Sequence, residues 1–490
     1  MSLPHFILQR DHHSPLYLQL YHRYREAIAN GQLRPGERVP SVRSLASELN
    51  LARGTVEQAY QILVSEGYFI AQGAGGTRVS PQLAPLPAQP SALPITHTTP
   101  HSLVTEPSSP LPPGATAPLL FELGLPALDA FPRKTWARLT NHHLRSVEML
   151  SYPDPAGYAP LRHTIATYLG ISRGIHCSPE QVFITAGYAG ALQLITQTVL
   201  KTGDLGWYEN PGYLFARKTL QHAGMRLQPI AVDAEGLNID EAKQLAPHAR
   251  FAVVTPTHQS PLGVTLSLAR RLALLDWAQQ QQAWIIEDDY DSEFRYHGRP
   301  LPALKSLDQN GRVLYTGTFS KVLFPGMRLA YLVVPPEQIA TFRYSVQQMS
   351  YSCPLLTQAT TADFMQQGHF MRHLRKMRTL YAERYQHLTD ALRDYAQAMK
   401  IEGLEIPTQM GGMHVLIHLA STYDDQAIAC TAYTQGMNIQ ALSGWYLDND
   451  GCTTPKGLMM GFTNFTTAEA AQRAVKKLLT VIKNVSHNPV

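Results

Sequence analysis

Between residues 81 and 118 the chain carries 11 of its 35 prolines and one acidic or basic side chain, Glu106, and no other feature limits the fold so strongly. Proline removes a backbone donor and fixes φ, so a run of this density excludes helix and central strand. Without periodic apolar residues the segment has no burial to offset its ordering entropy, and it reads as an extended, partly polyproline-like, mobile linker. At about 3.1 Å per residue it reaches on the order of 100 Å. The chain is therefore expected to be multidomain: a small module over 1–80, the linker over 81–118, and a large module over 119–490. No internal repeat is visible.

With 490 residues and 44% hydrophobic content there is ample material for folded cores. The net charge of +4 is too small for a chain that coats a polyanion along its whole length, so any nucleic-acid surface must be local. Cys177, Cys353, Cys430 and Cys452 are widely spaced and form no CxxC pair, which argues against a zinc module and against a disulfide framework. The expected compartment is reducing and cytoplasmic. The N-terminus lacks a basic leader ahead of an apolar stretch, and no run of about 18 apolar residues occurs, so neither secretion nor a membrane partner is expected.

In the small module, Leu16, Leu20, Tyr24, Ala27 and Ile28 form a helical stripe ending at Gly31. Ser41 is placed to cap a short helix through Leu49, and Asn50-Leu51 joins it to a third helix from about Ala52 to Ser65. Phe69-Ile70 and Arg78-Val79 flank a Gly-rich turn, which predicts a β-hairpin. Three helices and a hairpin make a winged helix-turn-helix. In that arrangement the third helix enters the major groove, where Arg53 is placed to fork onto a guanine or phosphate and Thr55 to donate to a phosphate or base. Ser41 and Arg43 open the second helix and suit a phosphate; Gly75 and Gly76 permit close backbone approach at the wing, and Arg78 adds charge. Any one of these arginines alone reads as solvated surface. The stretch PGERVPSVRSLA, with RGTVEQAY and EGY after it, resembles the N-terminal domain of GntR-type bacterial regulators. Glu57 stands where some members carry another Arg.

The large module alternates apolar strands, VFIT (182–185), FAVVTP (251–256), AWIIEDD (283–289), RVLYTGT (312–318) and RLAYLVV (328–334), with helical patterns. This is the pattern of an α/β fold with a parallel-rich sheet covered on both faces. From about Phe364 onward a long basic helix, then strands and helices, predict a smaller α+β subdomain. In open sheets, ligands gather at the carboxyl ends of strands. There the sequence places Asp288, Asp289 and Tyr290, then Lys321 and Arg328, an amine suited to an aldehyde and a guanidinium suited to a phosphate. Taken singly, Lys321 reads as a loop lysine and the aspartates as capping carboxylates.

Together, IIEDDYDSEFRYHGRPLPALKSLD and GRVLYTGTFSKVLFPGMRLAYLVVP, with SYPDPAGYAPLR, TAGYAGALQL, ENPGY and TPTHQSPLG, resemble the aminotransferase-like domain of MocR-type regulators. These are the GntR branch whose effector domain has the fold-type I pyridoxal-phosphate architecture. The resemblance implies pyridoxal 5′-phosphate as cofactor, with Lys321 as Schiff-base lysine, Asp288 at the pyridine nitrogen, Tyr290 at the ring hydroxyl and Tyr213 stacked on the ring. It implies a phosphate turn of Gly187, Tyr188 and Ala189, joined by Thr318, Ser320 and Arg328, and it puts His258 and Gln259 near the ring edge. Ser260 takes the place of the usual Asn of an NPTG turn. Two departures matter. GYAGAL replaces GAQQAL, which makes Tyr188 bulky at the phosphate turn, and Met459 stands where amino-acid aminotransferases place an Arg for the substrate carboxylate. The expectation is a homodimeric regulator, not an enzyme, with no catalytic residue and no metal. It would bind double-stranded operator DNA, with RNA polymerase as a further candidate partner, and sense pyridoxal phosphate to control vitamin B6 genes. The alternatives are a response to an amine or amino acid through an external aldimine, and a working aminotransferase with a DNA-binding appendage.

Overall fold

The computed structural model describes residues 14–83, 118–296, 302–349, 353–409, 411–447 and 454–487. The linker expected over 81–118 lies outside them except at its two ends. The chain divides into two units, Met1–Thr105 and Glu106–Val490.

The first unit holds α1 (Leu16–Ala29), α2 (Val42–Glu48), α3 (Arg53–Ser65) and a hairpin of β1 (Phe69–Ala71) and β2 (Thr77–Val79). Ser41 caps α2 by accepting from the Ser44 amide, which satisfies one of the donors a helix start leaves free. The apolar stripes meet in a core of Leu20, Tyr24, Leu45, Val56, Leu63 and Phe69. At its centre Tyr24, Tyr60 and Phe69 contact one another edge-on, with ring centroids 5.2–5.6 Å apart. The Tyr60 hydroxyl donates to the Pro40 carbonyl at 3.0 Å and lies 3.1 Å from that of Tyr24. This ties α3 to α1 and to the residues leading into α2.

In the second unit, β3 (Val182–Thr185), β4 (Leu205–Asn210), β5 (Arg226–Asp233), β6 (Gly236–Leu237), β7 (Phe251–Val254), β8 (Trp284–Asp289), β9 (Val313–Thr318) and β10 (Ala330–Val333) form one sheet in the order β3-β10-β9-β8-β7-β4-β5-β6. The five strands expected from the sequence are all present. Strands β9, β8, β7, β4 and β5 run parallel. In contrast, β10 is antiparallel to both neighbours, because the connection from β9 contains no crossover helix and folds straight back. The apolar alternation pattern missed β4 and β5, whose sequences LGWYEN and RLQPIAVD carry polar and Pro residues. Apolar side chains pack on both faces of the sheet.

Three helices position the site and its surroundings: α4 (Arg133–His143), α5 (Ala159–Arg173) and α6 (Gly187–Val199). The last comes directly after β3 and packs on the sheet through Leu192 and Ile195. Beyond α4, Leu144, Val147, Leu150 and Tyr152 are 50, 82, 74 and 96% exposed, a run of large apolar and aromatic side chains in water. The smaller subdomain has a long helix, His369–Met399, and an antiparallel sheet of β11 (Leu404–Glu405), β12 (His414–Leu419), β13 (Gln440–Ala441) and β14 (Lys456–Gly461) in the order β11-β12-β14-β13. Among the described residues no helix is long and apolar enough to cross a membrane.

Candidate functional site

Successive side chains of a strand point to opposite faces, and β8 uses this to separate its three carboxylates. Glu287 accepts the Leu304 and Lys305 amides, both at 2.8 Å. Asp289 is held by the Arg173 guanidinium at 2.7 Å and by the Tyr315 hydroxyl at 2.5 Å. Those two are packing carboxylates. Asp288 points the other way, into a cavity of about 150 Å³ that it shares with Lys321, Tyr290, Tyr213 and Ser260. Burial, and then the charge of Asp289, raise the Asp288 carboxyl well above its ordinary range. A cation placed against it would restore its charge.

Lys321 follows β9, and its Nζ donates to the Gly124 carbonyl at 3.0 Å. Gly124 has φ +68°, and any Cβ there would collide with Lys321 Nζ. Burial lowers the Lys321 pKa, opposed by Asp291 and Asp288, and a lysine so tuned is the better nucleophile toward a carbonyl. Tyr213, the residue before the helix Leu214–His222, lines the same cavity. Its ring lies 6.3 Å from that of Tyr188 and 6.1 Å from that of Trp445.

A second cluster forms where α6 begins. Gly187 opens the helix with φ +75°, and a Cβ there would stand 3.2 Å from Arg328 Nη2. The missing side chain lets an exposed guanidinium close on the amino end of a 13-residue helix. Among the described residues Arg328 has no anionic partner. Tyr188 and Ala189 complete the first turn of the helix, and the Thr318 hydroxyl accepts the Ser320 amide at 3.1 Å. Amide donors, a helix dipole and a free guanidinium together make an anion site, suited to a phosphate. The bulk of Tyr188 brings its hydroxyl toward the cavity: that buried group makes no well-formed hydrogen bond of its own and lies close enough to act on Asp288.

The sequence set His258 at the ring edge, and the structure places it behind Tyr290, outside the described cavity wall. Its Nδ1 lies 3.0 Å from Asp291 and 3.1 Å from the Tyr290 hydroxyl. Burial opposes its protonation, yet Asp291 outweighs burial and holds its pKa above the usual value. Sequence reasoning missed Gly124, Phe215, Met413, His414, Gln440 and Trp445, which also line the cavity. They come from five separate stretches of chain and carry no joint local pattern. It missed Glu209 too, a buried carboxylate that accepts from the Thr255 amide at 3.0 Å, the Thr255 hydroxyl at 2.6 Å and the Gln259 amide at 3.2 Å. Glu209 thereby joins the end of β4 to the loop that holds Ser260.

In the first unit Ser41, Arg43 and Arg53 are exposed and Thr55 half-buried at the starts of α2 and α3. Arg78 instead donates from Nη1 to the Gly36 carbonyl at 3.0 Å, so part of its guanidinium is committed to holding the hairpin. A Cβ on Gly76 would come within 3.0 Å of Arg38, an exposed cation at the wing that the sequence reading did not single out.

Residues 16–79 match the family described as bacterial regulatory proteins, gntR family, and residues 123–455 match aminotransferase class I and II. The chain is similar to the probable rhizopine catabolism regulatory protein MocR of Rhizobium meliloti, 36% identical over 89% of this chain and 88% of that protein. It is also similar to the pyridoxine biosynthesis transcriptional regulator PdxR of Corynebacterium glutamicum, 32% identical over 91% of each chain. A crystal structure of LysN, the α-aminoadipate aminotransferase of Thermus thermophilus complexed with N-(5′-phosphopyridoxyl)-L-leucine, superposes with a TM-score of 0.67 at 26% identity, covering 75% of this chain and 92% of that one. A helix-turn-helix unit followed by an aminotransferase fold, matched nearly end to end by such regulators, makes this chain a member of the MocR-type branch of the GntR family of transcriptional regulators.

Proposed function

We propose that the chain binds pyridoxal 5′-phosphate between Lys321, Asp288 and Arg328, and that loading of this cofactor is the signal that sets operator affinity. The observation that carries the reading is the geometry of three groups that make no salt bridge among the described residues. A desolvated amine, a buried carboxylate without a cation and a guanidinium without an anion stand around one cavity and the adjoining helix start, and they match an aldehyde, a ring nitrogen and a phosphate. When bound, the cofactor supplies an electrophilic carbon and an electron-withdrawing ring. Lys321 would hold that carbon, Asp288 would keep a proton on the ring nitrogen, Tyr290 would serve the ring hydroxyl, and Arg328 with the α6 amides would orient the phosphate. The similarity to PdxR supports vitamin B6 genes as the target.

The chain acts as a regulator and not as an enzyme in this reading, because the cavity wall offers no arginine for an amino-acid carboxylate among its described residues. It works as a homodimer on double-stranded DNA, supported by the exposed row from Leu144 to Tyr152, which asks for a covering surface. RNA polymerase is the partner such a regulator would address, and the cytoplasm its compartment. The module limits 1–80, 81–118 and 119–490 belong to the same proposal. Borohydride reduction of the protein loaded with pyridoxal phosphate and peptide mapping test the core of it: label is expected on Lys321, and label on another lysine overturns the assignment. Gel-shift titration of apo- and cofactor-loaded protein tests the rest. Equal operator affinity in both states removes the cofactor as signal.

A further inference from the structure

We propose that Met459 sets the ligand specificity of the Lys321 cavity: it closes the cavity to amines that carry a carboxylate and leaves small amines with an uncharged body as the class of second ligand admitted beside the cofactor. The inference rests on the cofactor reading above and deepens it.

Pairing across the small sheet sets Leu416, Met459 and Gln440 in one row over β12, β14 and β13. His414 lies two residues before Leu416 and so on the same face. Of these, Met459, Gln440 and His414 line the cavity. None supplies a cation. Burial, and then the neighbouring His258, lower the His414 pKa, and its Nε2 stands 3.0 Å from the Pro261 carbonyl. A carbonyl only accepts, so Nε2 carries a proton, and burial disfavours a second one on the ring. Gln440 spends its amide oxygen on the Trp445 indole at 3.2 Å. Met459 stands at the centre of the row, 1% exposed, packed with Leu416, Leu442 and Trp445, and a thioether has no proton to donate.

Lys321 is thus the one cation in the described lining, and it stands at the cofactor end beside Asp288. A carboxylate entering with its amine toward the cofactor would lose its water and meet methionine and tryptophan. Away from Lys321 the described wall offers uncharged donors but no cation to repay that desolvation. An amine with the same carbon skeleton and no carboxylate brings no second charge to desolvate, and its carbon chain can pack on Met459 and Trp445. In this way Met459 keeps amino acids from competing for a cofactor whose presence is itself the message.

Propylamine, 2-aminobutyrate and 4-aminobutyrate share a three-carbon amine and differ only in whether, and where, a carboxylate is attached. Isothermal titration calorimetry of the cofactor-loaded full chain, with visible spectra recorded alongside, is expected to show propylamine bound at least tenfold more tightly than either acid. Met459→Arg should reverse the order for at least one acid, and Met459→Leu should preserve the preference of the parent. The comparison on the parent protein and Met459→Leu decides the matter even where circular dichroism shows Met459→Arg unfolded. Either acid binding as tightly as propylamine, or no binding of propylamine, overturns the inference while a seated cofactor leaves the cofactor reading standing. Absence of visible absorbance before any amine is added overturns both.

Discussion

Arg328 and Gly187 depend on each other. The glycine leaves the space in which the guanidinium closes on the amino end of α6. Arg328→Ala would remove the proposed charge-assisted contact to phosphate, normally about 1.5–3 kcal/mol, so cofactor affinity measured by spectroscopic titration should fall roughly ten- to hundredfold. Gly187→Ala must place a Cβ at φ +75° and within 3.2 Å of that guanidinium, and it is expected to weaken cofactor at least as much without unfolding the chain. His373 makes a different prediction. It is buried with Nε2 3.1 Å from the carbonyl of Val322, the residue after Lys321, and burial pushes its pKa down to about 4 from an ordinary 6.5. A group whose folded pKa is depressed contributes stability that is complete above the unfolded value and is lost as pH falls through the folded one. Urea unfolding should therefore show stability declining between pH 6.5 and 4 by up to about 3 kcal/mol, and His373→Phe should flatten that slope. Lys321 and Asp288 could be singled out in the sequence because one stands just beyond an apolar strand and the other at the end of one, in a pattern shared with a family. Which of two adjacent aspartates faces the cavity follows from strand alternation, and the structure supplies the reason in the partners of Asp289. The Arg328 and Gly187 contact was not legible, since it depends on how β10 folds back beside α6.

At the scale of elements, the helices and hairpin of the first unit could be read from local signals: a stripe, a capping serine, a Gly-rich turn. The tie between them could not, because Tyr60 reaches Pro40 across 20 residues of chain. Tyr60→Phe leaves the Pro40 carbonyl short of its donor and should cost about 1–3 kcal/mol, seen as a lower first thermal transition and weaker operator binding with α3 otherwise intact. The strands of the large sheet divide in the same way. Those buried on both faces announced themselves, whereas β4 carries Glu209 in its interior and hid behind its polar residues. The antiparallel β10 has a further effect. Lys321 and Arg328 ride on one short connection, pinned by buried Phe319, Leu323 and Leu329, so the amine and the guanidinium proposed to take the aldehyde carbon and the phosphate are held by a single loop.

For the whole molecule, operator affinity should fall as salt rises, with log affinity losing about 0.9 per decade of salt for each phosphate neutralised. Arg43→Ala should reduce that slope by about 1. Arg53→Ala should weaken specific binding by roughly 1–3 kcal/mol if it reads a base, and full affinity retained in a gel-shift titration excludes that role. Arg78→Ala should act in part through the hairpin, since its guanidinium serves Gly36. Finally, the row of Leu144, Val147, Leu150 and Tyr152 left in water by the fold bears on gene dosage. If a second copy covers it, the species that occupies a two-part operator is the product of a bimolecular encounter, and at low abundance its level follows the square of the protein present. Doubling the copy number would then quadruple occupancy, and a charge at Val147 would lower that occupancy at every dose by weakening the encounter itself.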